Sequence, residues 1–175
     1  MLRPGGEMPA YQNPSRSAHV ERQRLTFAAA HMATFAGSIE PLHGHNYTVT
    51  IEVDGELSPE GWVVDFGVLK RIGVEICDRL DHHFLLQRES ALLGMAKVEG
   101  AWEISFAEKR YRLPEDDVFE LPITNTTAEQ IAEWFWGEVL GNLRAAGITT
   151  VTRLTIGVEE APGQAGWFAA DLPVD

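Results

Sequence analysis

Three histidines in the first third of the chain could together bind a metal ion. His43 and His45 are separated only by Gly44, and His31 lies twelve residues before His43. Side chains alternate between the two faces of a strand, so histidines at i and i+2 point the same way, and the glycine would allow a close approach on the other face. A third imidazole from the end of a neighbouring strand would complete the ligand set of a catalytic zinc. The alternative is an ordinary polar pair on a half-exposed strand, which the His-x-His spacing alone does not exclude.

The elements that must position these histidines fit into one domain. The chain has 175 residues, of which 45% are hydrophobic and 23% charged, as expected for a soluble globular domain. Residues 1–17 are polar and contain three prolines without an apolar stretch, so we expect a flexible leader rather than a signal peptide. The folded domain is then expected over residues 18–175.

Charge and cysteine content exclude several classes of function. The net charge of −12 argues against a nucleic-acid partner, which would need a basic face. No apolar run approaches the roughly 20 residues of a membrane helix, so no membrane partner is expected either. A single cysteine, Cys77, excludes an intrachain disulfide and makes a cytoplasmic location the default expectation.

The first half of the chain shows two strands and a helix. Residues 20–30 are expected to form a strand, and 46–54 alternate polar and apolar residues more clearly. From Asp65 to about Leu80, apolar residues follow the 3.6-residue period of a helix, and Asp65 is a suitable N-cap.

The second half is expected to add a hairpin, a helix and a strand. Residues 101–106 and 109–113 form the hairpin, and Val151–Glu160 alternates as a last strand. Between them, Thr126 and Glu129 have the spacing of a capping box at the start of a helix that ends at Gly147. This order predicts an α+β domain with an antiparallel sheet covered on one face by helices.

Several segments, taken together, resemble one enzyme family. They occur in the same order over about residues 25–162, and they read Phe27-x3-His31, Leu42-His43-Gly44-His45-Asn46-Tyr47, Val64-Asp65-Phe66-x2-Leu69-Lys70, Leu80-Asp81-His82-x2-Leu85, Thr126-Thr127-Ala128-Glu129-Gln130-Ile131-Ala132 and Val158-Glu159-Glu160. The chain is therefore similar to the 6-pyruvoyl-tetrahydropterin synthase and 6-carboxytetrahydropterin synthase family. No single segment is specific, but their common order is.

The resemblance implies a fold, an assembly and a metal. The fold is the tunnelling fold, a four-stranded antiparallel sheet with two helices packed on one face. Copies would assemble into an oligomeric barrel, usually a homohexamer built as a dimer of trimers, with active sites between subunits. His31, His43 and His45 would bind Zn²⁺ in each subunit.

The resemblance also assigns roles to residues that the metal does not use. Asp81 and His82 would be the aspartate and histidine of a proton-transfer triad, where the alternative is a polar helix end. Glu160 would anchor the pterin ring by accepting two hydrogen bonds, and Thr127 and Glu129 would line the pterin pocket. For Glu129 the capping box is already a sufficient structural explanation.

The most important difference between this sequence and the family pattern concerns the catalytic cysteine. Cysteine-dependent members carry their cysteine a few residues before His-Gly-His, where this chain has Ala36–Leu42 and no cysteine. Glu40 in this segment instead resembles the subgroup in which a glutamate replaces the cysteine. Members of that subgroup cleave the side chain of 7,8-dihydroneopterin triphosphate to 6-hydroxymethyl-7,8-dihydropterin. The alternative for Glu40 is a surface loop residue.

Three functional outcomes therefore remain open at this point. The first is a zinc-dependent lyase that cleaves the pterin side chain. The second is triphosphate elimination giving 6-pyruvoyl-tetrahydropterin, or the 6-carboxy product. The third is a non-catalytic pterin-binding homologue.

The sequence does not identify the residues that contact the triphosphate. Four residues are candidates by charge alone: Arg22, Arg24, Lys70 and Arg71. No role is assigned to His83, and residues 88–122 contain no recognisable motif.

Overall fold

The computed structural model describes residues 15–172, apart from the side chains at positions 22 and 23. Most of the predicted leader, residues 1–14, therefore lies outside the described part, and the first strand begins at Ser17. The elements in chain order are β1 (Ser17–His31), β2 (Thr34–Phe35), β3 (Ser38–Ile39), β4 (His43–Gly55), α1 (Phe66–Leu80), β5 (His83–Gln87), β6 (Gly94–Val98), β7 (Ala101–Phe106), β8 (Lys109–Pro114), a 3₁₀ turn (Glu115–Asp117), β9 (Val118–Leu121), α2 (Ala128–Ala145), β10 (Val151–Ala161) and β11 (Gln164–Asp171).

The main sheet has six strands in the order β11-β10-β4-β1-β5-β9. The first four pair antiparallel, whereas β5 joins β1, and β9 joins β5, in parallel. The predicted number of four strands was therefore wrong, because two parallel strands extend the antiparallel part of the sheet. Strand β5 is short and apolar residues on both of its faces are buried, including Phe84, Leu85 and Leu86, so it lacks the alternation that marks a half-buried strand.

Both helices pack against one face of this sheet, as predicted. Alternate residues of the long strands supply the core on that face, among them Phe27 of β1, Tyr47 and Ile51 of β4, and Ile156 of β10. The helices add the apolar side chains of their stripes to this core: Leu69, Ile72, Ile76 and Leu80 from α1, and Ile131, Phe135, Val139 and Leu143 from α2. No helix in the described part of the chain is long and apolar enough to cross a membrane.

A second, smaller sheet is formed by β6, β7 and β8. It accounts for much of the segment 88–122 in which no motif was recognised, and it extends the predicted hairpin of β7 and β8 by one strand. Its inner residues Trp102 and Ile104 form a separate apolar cluster with Phe84 and Leu86 of β5. Strand β5 is thus buried between two cores, which explains its uniformly apolar sequence.

The predicted ends of α1 are confirmed, but those of α2 need one correction. Asp65 caps α1 by accepting the Gly67 N–H at 2.6 Å. The N-cap of α2 is Thr127, whose hydroxyl accepts from Gln130 N–H, so the predicted capping box of Thr126 and Glu129 is displaced by one residue. A further strand, β11, follows the predicted last strand and pairs with it. The shift at α2 frees the Glu129 side chain from a capping role.

Candidate functional site

The three predicted metal ligands lie together at one end of the main sheet. His31 of β1 pairs directly opposite His43 of β4, and His45 follows two residues later on the same face. This face is the one covered by the helices, and His31 is only 2% exposed. The potential ligand atoms of the three side chains all lie within 4.8 Å of one another. The two-residue spacing and the antiparallel register therefore produce the convergence expected from the sequence.

Hydrogen bonds fix the tautomers of two of these histidines. His31 Nδ1 lies 2.9 Å from the carbonyl oxygen of Thr126, and His43 Nδ1 lies 2.8 Å from that of Pro41. A carbonyl oxygen only accepts, so each Nδ1 carries a proton, and in the neutral form of the ring Nε2 keeps its lone pair. Such backbone partners commonly orient metal-binding histidines. Burial, with the nearby imidazoles of His43 and His45, lowers the pKa of His31 to about 4 and keeps that ring neutral.

The two Nε2 atoms are 3.2 Å apart. With zinc–nitrogen bonds of about 2.0–2.1 Å, tetrahedral geometry would place two ligand nitrogens about 3.3 Å apart. Two lone pairs facing each other repel, and a cation between them removes that repulsion. His31, His43 and His45 are therefore a donor set that fits a metal ion.

Gly44 allows a close approach of backbone, as the sequence suggested. A Cβ at this position would lie 2.9 Å from the backbone oxygen of Ala29 on β1. The glycine thus allows β1 and β4 to approach closely where the two histidines are held.

Beside the histidines lies a cavity of about 350 Å³ that collects most of the predicted site residues. Its walls include His31, Glu40, Thr127, Glu129 and Glu160. One carboxylate oxygen of Glu40 is 3.9 Å from His43 Nε2. Segments far apart in the sequence therefore converge on one pocket that has a metal-binding donor set at one side and three carboxylates around it.

Glu160 and its neighbour Glu159 have different surroundings. The Glu159 carboxylate accepts the Gly163 N–H at 2.8 Å and so belongs to the β10–β11 turn. Glu160 lines the cavity, and its buried Oε1 has no hydrogen-bond partner among the described residues. Burial raises the pKa of Glu160; the charge of His45 opposes this shift, and the carboxylates of Glu40 and Glu129 add to it. A buried acceptor without a partner is suited to a ligand that donates hydrogen bonds.

The start of α2 forms one wall of this cavity because β11 passes close beneath it. A Cβ on Gly166 would lie 2.4 Å from the backbone nitrogen of Glu129. Gly166 lines the cavity and was not identified from the sequence, since β11 itself was not predicted. The one sequence feature that could have pointed to Gly166 is a glycine within an apolar segment, which often marks a close approach of another backbone.

The sequence also did not reveal the residues that hold His31. Gln87 is 1% exposed, and its side-chain oxygen accepts from the Thr126 N–H at 3.0 Å and from the Thr126 hydroxyl at 2.8 Å. The Thr126 carbonyl then accepts from His31. The available signal was a polar residue, Gln87, at the end of an apolar strand.

Asp81 and His82 lie elsewhere in this chain. The two Asp81 carboxylate oxygens accept from Ala28 N–H at 2.6 Å and from His82 Nδ1 at 2.7 Å, and the Ala28 hydrogen bond is the main cause of a lowered pKa at Asp81. The expected bend after α1 is present, since His82 has φ +61°. His82 lines a second cavity, of about 450 Å³, whose walls also include Ala28, Gly44 and His45. Glu40 and Glu160 line the other cavity, so one chain does not bring His82 into the same cavity as Glu40.

The remaining predictions concern His83 and the candidate cations. His83 donates from Nδ1 to the Asp81 carbonyl at 2.8 Å, which supports the bend structurally. No arginine or lysine among the described side chains lines the cavity of Glu40 and Glu160. The side chain of Arg22 lies outside the described part. Of the four candidate cations, the three with described side chains, Arg24, Lys70 and Arg71, therefore do not line this cavity.

Comparisons with known proteins give a consistent result. Residues 20–170 match the family model described as 6-pyruvoyl tetrahydropterin synthase. A Methanocaldococcus jannaschii protein, provisionally named 6-carboxy-5,6,7,8-tetrahydropterin synthase, is 30% identical over 151 residues, which are 86% of this chain and 93% of that protein. A shorter match, 39% identical over 62 residues, covers 35% of this chain and 53% of a dihydroneopterin monophosphate aldolase from Pyrococcus furiosus.

A solved structure resembles this fold over nearly its whole length. The 6-pyruvoyl tetrahydropterin synthase of Plasmodium vivax superposes with a TM-score of 0.87 at 28% identity, covering 91% of this chain and all of that one. Two further structures of the Plasmodium vivax enzyme carry alanine or cysteine in place of a glutamate described as a catalytic residue. By family model, sequence identity and fold, the chain belongs to the 6-pyruvoyl tetrahydropterin synthase family, whose members are lyases that act on pterins.

Proposed function

We propose that this protein is a zinc-dependent lyase that cleaves the side chain of 7,8-dihydroneopterin triphosphate to give 6-hydroxymethyl-7,8-dihydropterin. The observation that carries this proposal is the place of Glu40, in the same cavity as Glu160 and 3.9 Å from His43 Nε2. The only cysteine, Cys77, is buried in α1, and burial raises the pKa of its thiol to about 12. In this proposal the Glu40 carboxylate would take the role that a thiolate has in the cysteine-dependent enzymes.

The Plasmodium vivax variants support this choice of base. In that enzyme a glutamate is described as a catalytic residue, and two solved structures carry alanine or cysteine in its place. The Pyrococcus furiosus relative is named an aldolase, which is the class of reaction proposed here.

Three residues would bind the metal and one would bind the pterin. His31, His43 and His45 offer three imidazole nitrogens, the ligand set of a catalytic zinc with an open position. Zinc held there would act as a Lewis acid that stabilises developing negative charge on oxygen. Glu160, with its unpartnered buried oxygen, would accept hydrogen bonds from the 2-amino group and N3–H of the pterin ring.

Glu40 would then serve as the general base of an aldol-type cleavage. Its carboxylate removes the proton from the hydroxyl on the second side-chain carbon, and a carbonyl forms there as the bond to the first carbon breaks. The electron pair of that bond moves into the adjacent C6=N5 imine of the dihydropterin ring. A proton returned to the first carbon completes 6-hydroxymethyl-7,8-dihydropterin, and the other product is a triphosphorylated two-carbon aldehyde. Atoms and electrons balance without an oxidant or reductant.

The Asp81–His82 pair requires a second copy of the chain. His82 lines a cavity that does not include Glu40, so a neighbouring subunit would have to supply the pair as the second proton carrier. Strands β11 and β9 are the edges of the main sheet, and closing such edges between copies would form a barrel. We propose the homohexamer, a dimer of trimers, as this assembly.

A second candidate function is favoured by the name of the Methanocaldococcus jannaschii relative. In that case the same cavity would eliminate triphosphate and lead to 6-pyruvoyl-tetrahydropterin or the 6-carboxy product. A non-catalytic pterin-binding role is the third, but it gives no reason for Glu40 to lie beside the metal ligands.

The Glu40→Gln variant tests the proposed base. Glutamine keeps size and polarity but accepts no proton at neutral pH, so turnover should fall about 10²–10⁴-fold. Zinc content and pterin binding should stay unchanged. Glu56→Gln, on an exposed loop, is the matched control and should keep wild-type turnover. Near-normal turnover of Glu40→Gln would mean that Glu40 is not the base.

A further inference from the structure

Asn125 makes two hydrogen bonds to the backbone of a single residue, Thr34. Its side-chain oxygen accepts from the Thr34 N–H at 2.7 Å, and its side-chain nitrogen donates to the Thr34 carbonyl at 2.8 Å. The partners are 91 residues apart in the sequence. An amide side chain bound in this way replaces the pairing that a neighbouring strand would give.

Thr34 begins the hairpin that ends at Glu40. It pairs with Ile39 across β2 and β3, while the turn residues Ala36 and Gly37 both have positive φ, as a tight two-residue hairpin requires. The Glu40 N–H donates to the Ala33 carbonyl at 2.9 Å and closes the base of the hairpin. The backbone at Glu40 is therefore fixed relative to Thr34.

Asn125 is itself fixed to the segment that opens α2. Its own N–H donates to the Gln130 side-chain oxygen at 3.1 Å. The next residue, Thr126, provides the carbonyl that orients His31. One short segment thus holds both the hairpin of Glu40 and a metal-binding histidine.

We propose that Asn125 is a positioning residue that sets the place of the Glu40 carboxylate relative to the metal ligands; this inference rests on the proposed role of Glu40 as base. Asn125 does not line the cavity, so it acts through Thr34 and the hairpin. Displacing a reacting group by about 1 Å can cost on the order of 10²-fold in rate. Besides the hydrogen bonds from Asn125, the hairpin contacts the rest of the protein through the buried Ile39 side chain, which packs in the apolar cluster of Phe84 and Trp102.

The test begins with Asn125→Ala and its effect on the kinetic parameters. The rate constant kcat should fall about 10–100-fold, because a misplaced base impairs the chemical step. KM, zinc content and pterin affinity should change little, because Glu160 and the histidines are untouched. Asn125→Asp keeps the acceptor for Thr34 N–H and loses the donor, so its kcat should be intermediate. Asn142→Ala is the matched control: that amide donates only to the Glu138 carbonyl within α2.

A double-mutant cycle separates positioning from a general structural effect. In the Glu40→Gln background, adding Asn125→Ala should lower turnover by less than about threefold, since the residue it positions no longer transfers a proton. An undiminished further loss in that background would overturn the positioning role, as would an unchanged kcat in Asn125→Ala. If Glu40→Gln alone keeps wild-type turnover, Glu40 is not the base. That result differs from the two results above, which reject only the positioning role of Asn125.

Discussion

The Nε2 atoms of His31 and His43 lie 3.2 Å apart. On the opposite side of each ring, Nδ1 donates a hydrogen bond to a backbone carbonyl. Two unprotonated nitrogens at this distance are unfavourable unless a cation lies between them. The carbonyls of Thr126 and Pro41 therefore orient the two rings in a way that suits a metal ion.

The first prediction concerns the metal. His45→Ala should no longer bind one zinc ion per subunit, because only two of the three histidine ligands remain. Metal analysis of protein purified without chelator measures this directly. His19→Ala, an exposed histidine on β1, is the control and should retain one zinc per subunit. A His45→Ala protein with full zinc content would remove His45 from the ligand set.

The second prediction concerns the pterin anchor. Glu160→Gln should weaken pterin binding by about 1.5–3 kcal/mol, the usual contribution of a hydrogen bond to a charged group, as measured by calorimetry. Glu159→Gln should have little effect, since that side chain belongs to the Gly163 turn and glutamine can still accept there. Equal effects of the two changes would contradict the observed placement of Glu160 in the cavity.

The same carboxylate gives the pH dependence of binding a definite sign. The raised pKa of Glu160 means that it gains its proton at a higher pH than an ordinary glutamate. A protonated carboxyl cannot accept both hydrogen bonds, so pterin affinity should fall as the pH is lowered through this pKa. In Glu160→Gln this part of the pH dependence should be absent.

The third prediction concerns the sharing of active sites. Glu40→Gln and His82→Ala should each be inactive, yet co-expression of the two should restore activity in mixed oligomers. With random mixing, about one site in four combines an intact Glu40 with an intact His82 from another copy. Activity no higher than that of the separate variants would contradict a site completed by a neighbouring subunit. A stable monomer in light scattering would contradict the assembly itself.

The parts of the fold that follow a simple period were predictable. The alternation in β4 and the apolar stripes of α1 and α2 placed these elements correctly, and the antiparallel register brought His31 opposite His43. Strand β5 was missed because it is buried on both faces and shows no alternation, and β9 was missed because its four residues are too few to show a period. Asn125 and Gln87 were missed because they act through backbone atoms of residues far away in the sequence, and no local pattern records such contacts.

The measurement that tests the central claim most directly is identification of the product. Zinc-loaded protein should be incubated with 7,8-dihydroneopterin triphosphate and the mixture resolved by chromatography with mass detection. The proposed cleavage predicts 6-hydroxymethyl-7,8-dihydropterin and a triphosphorylated two-carbon aldehyde in equal amounts, with no inorganic triphosphate released. Inorganic triphosphate together with 6-pyruvoyl-tetrahydropterin or the 6-carboxy product would contradict the proposal and establish the elimination reaction instead.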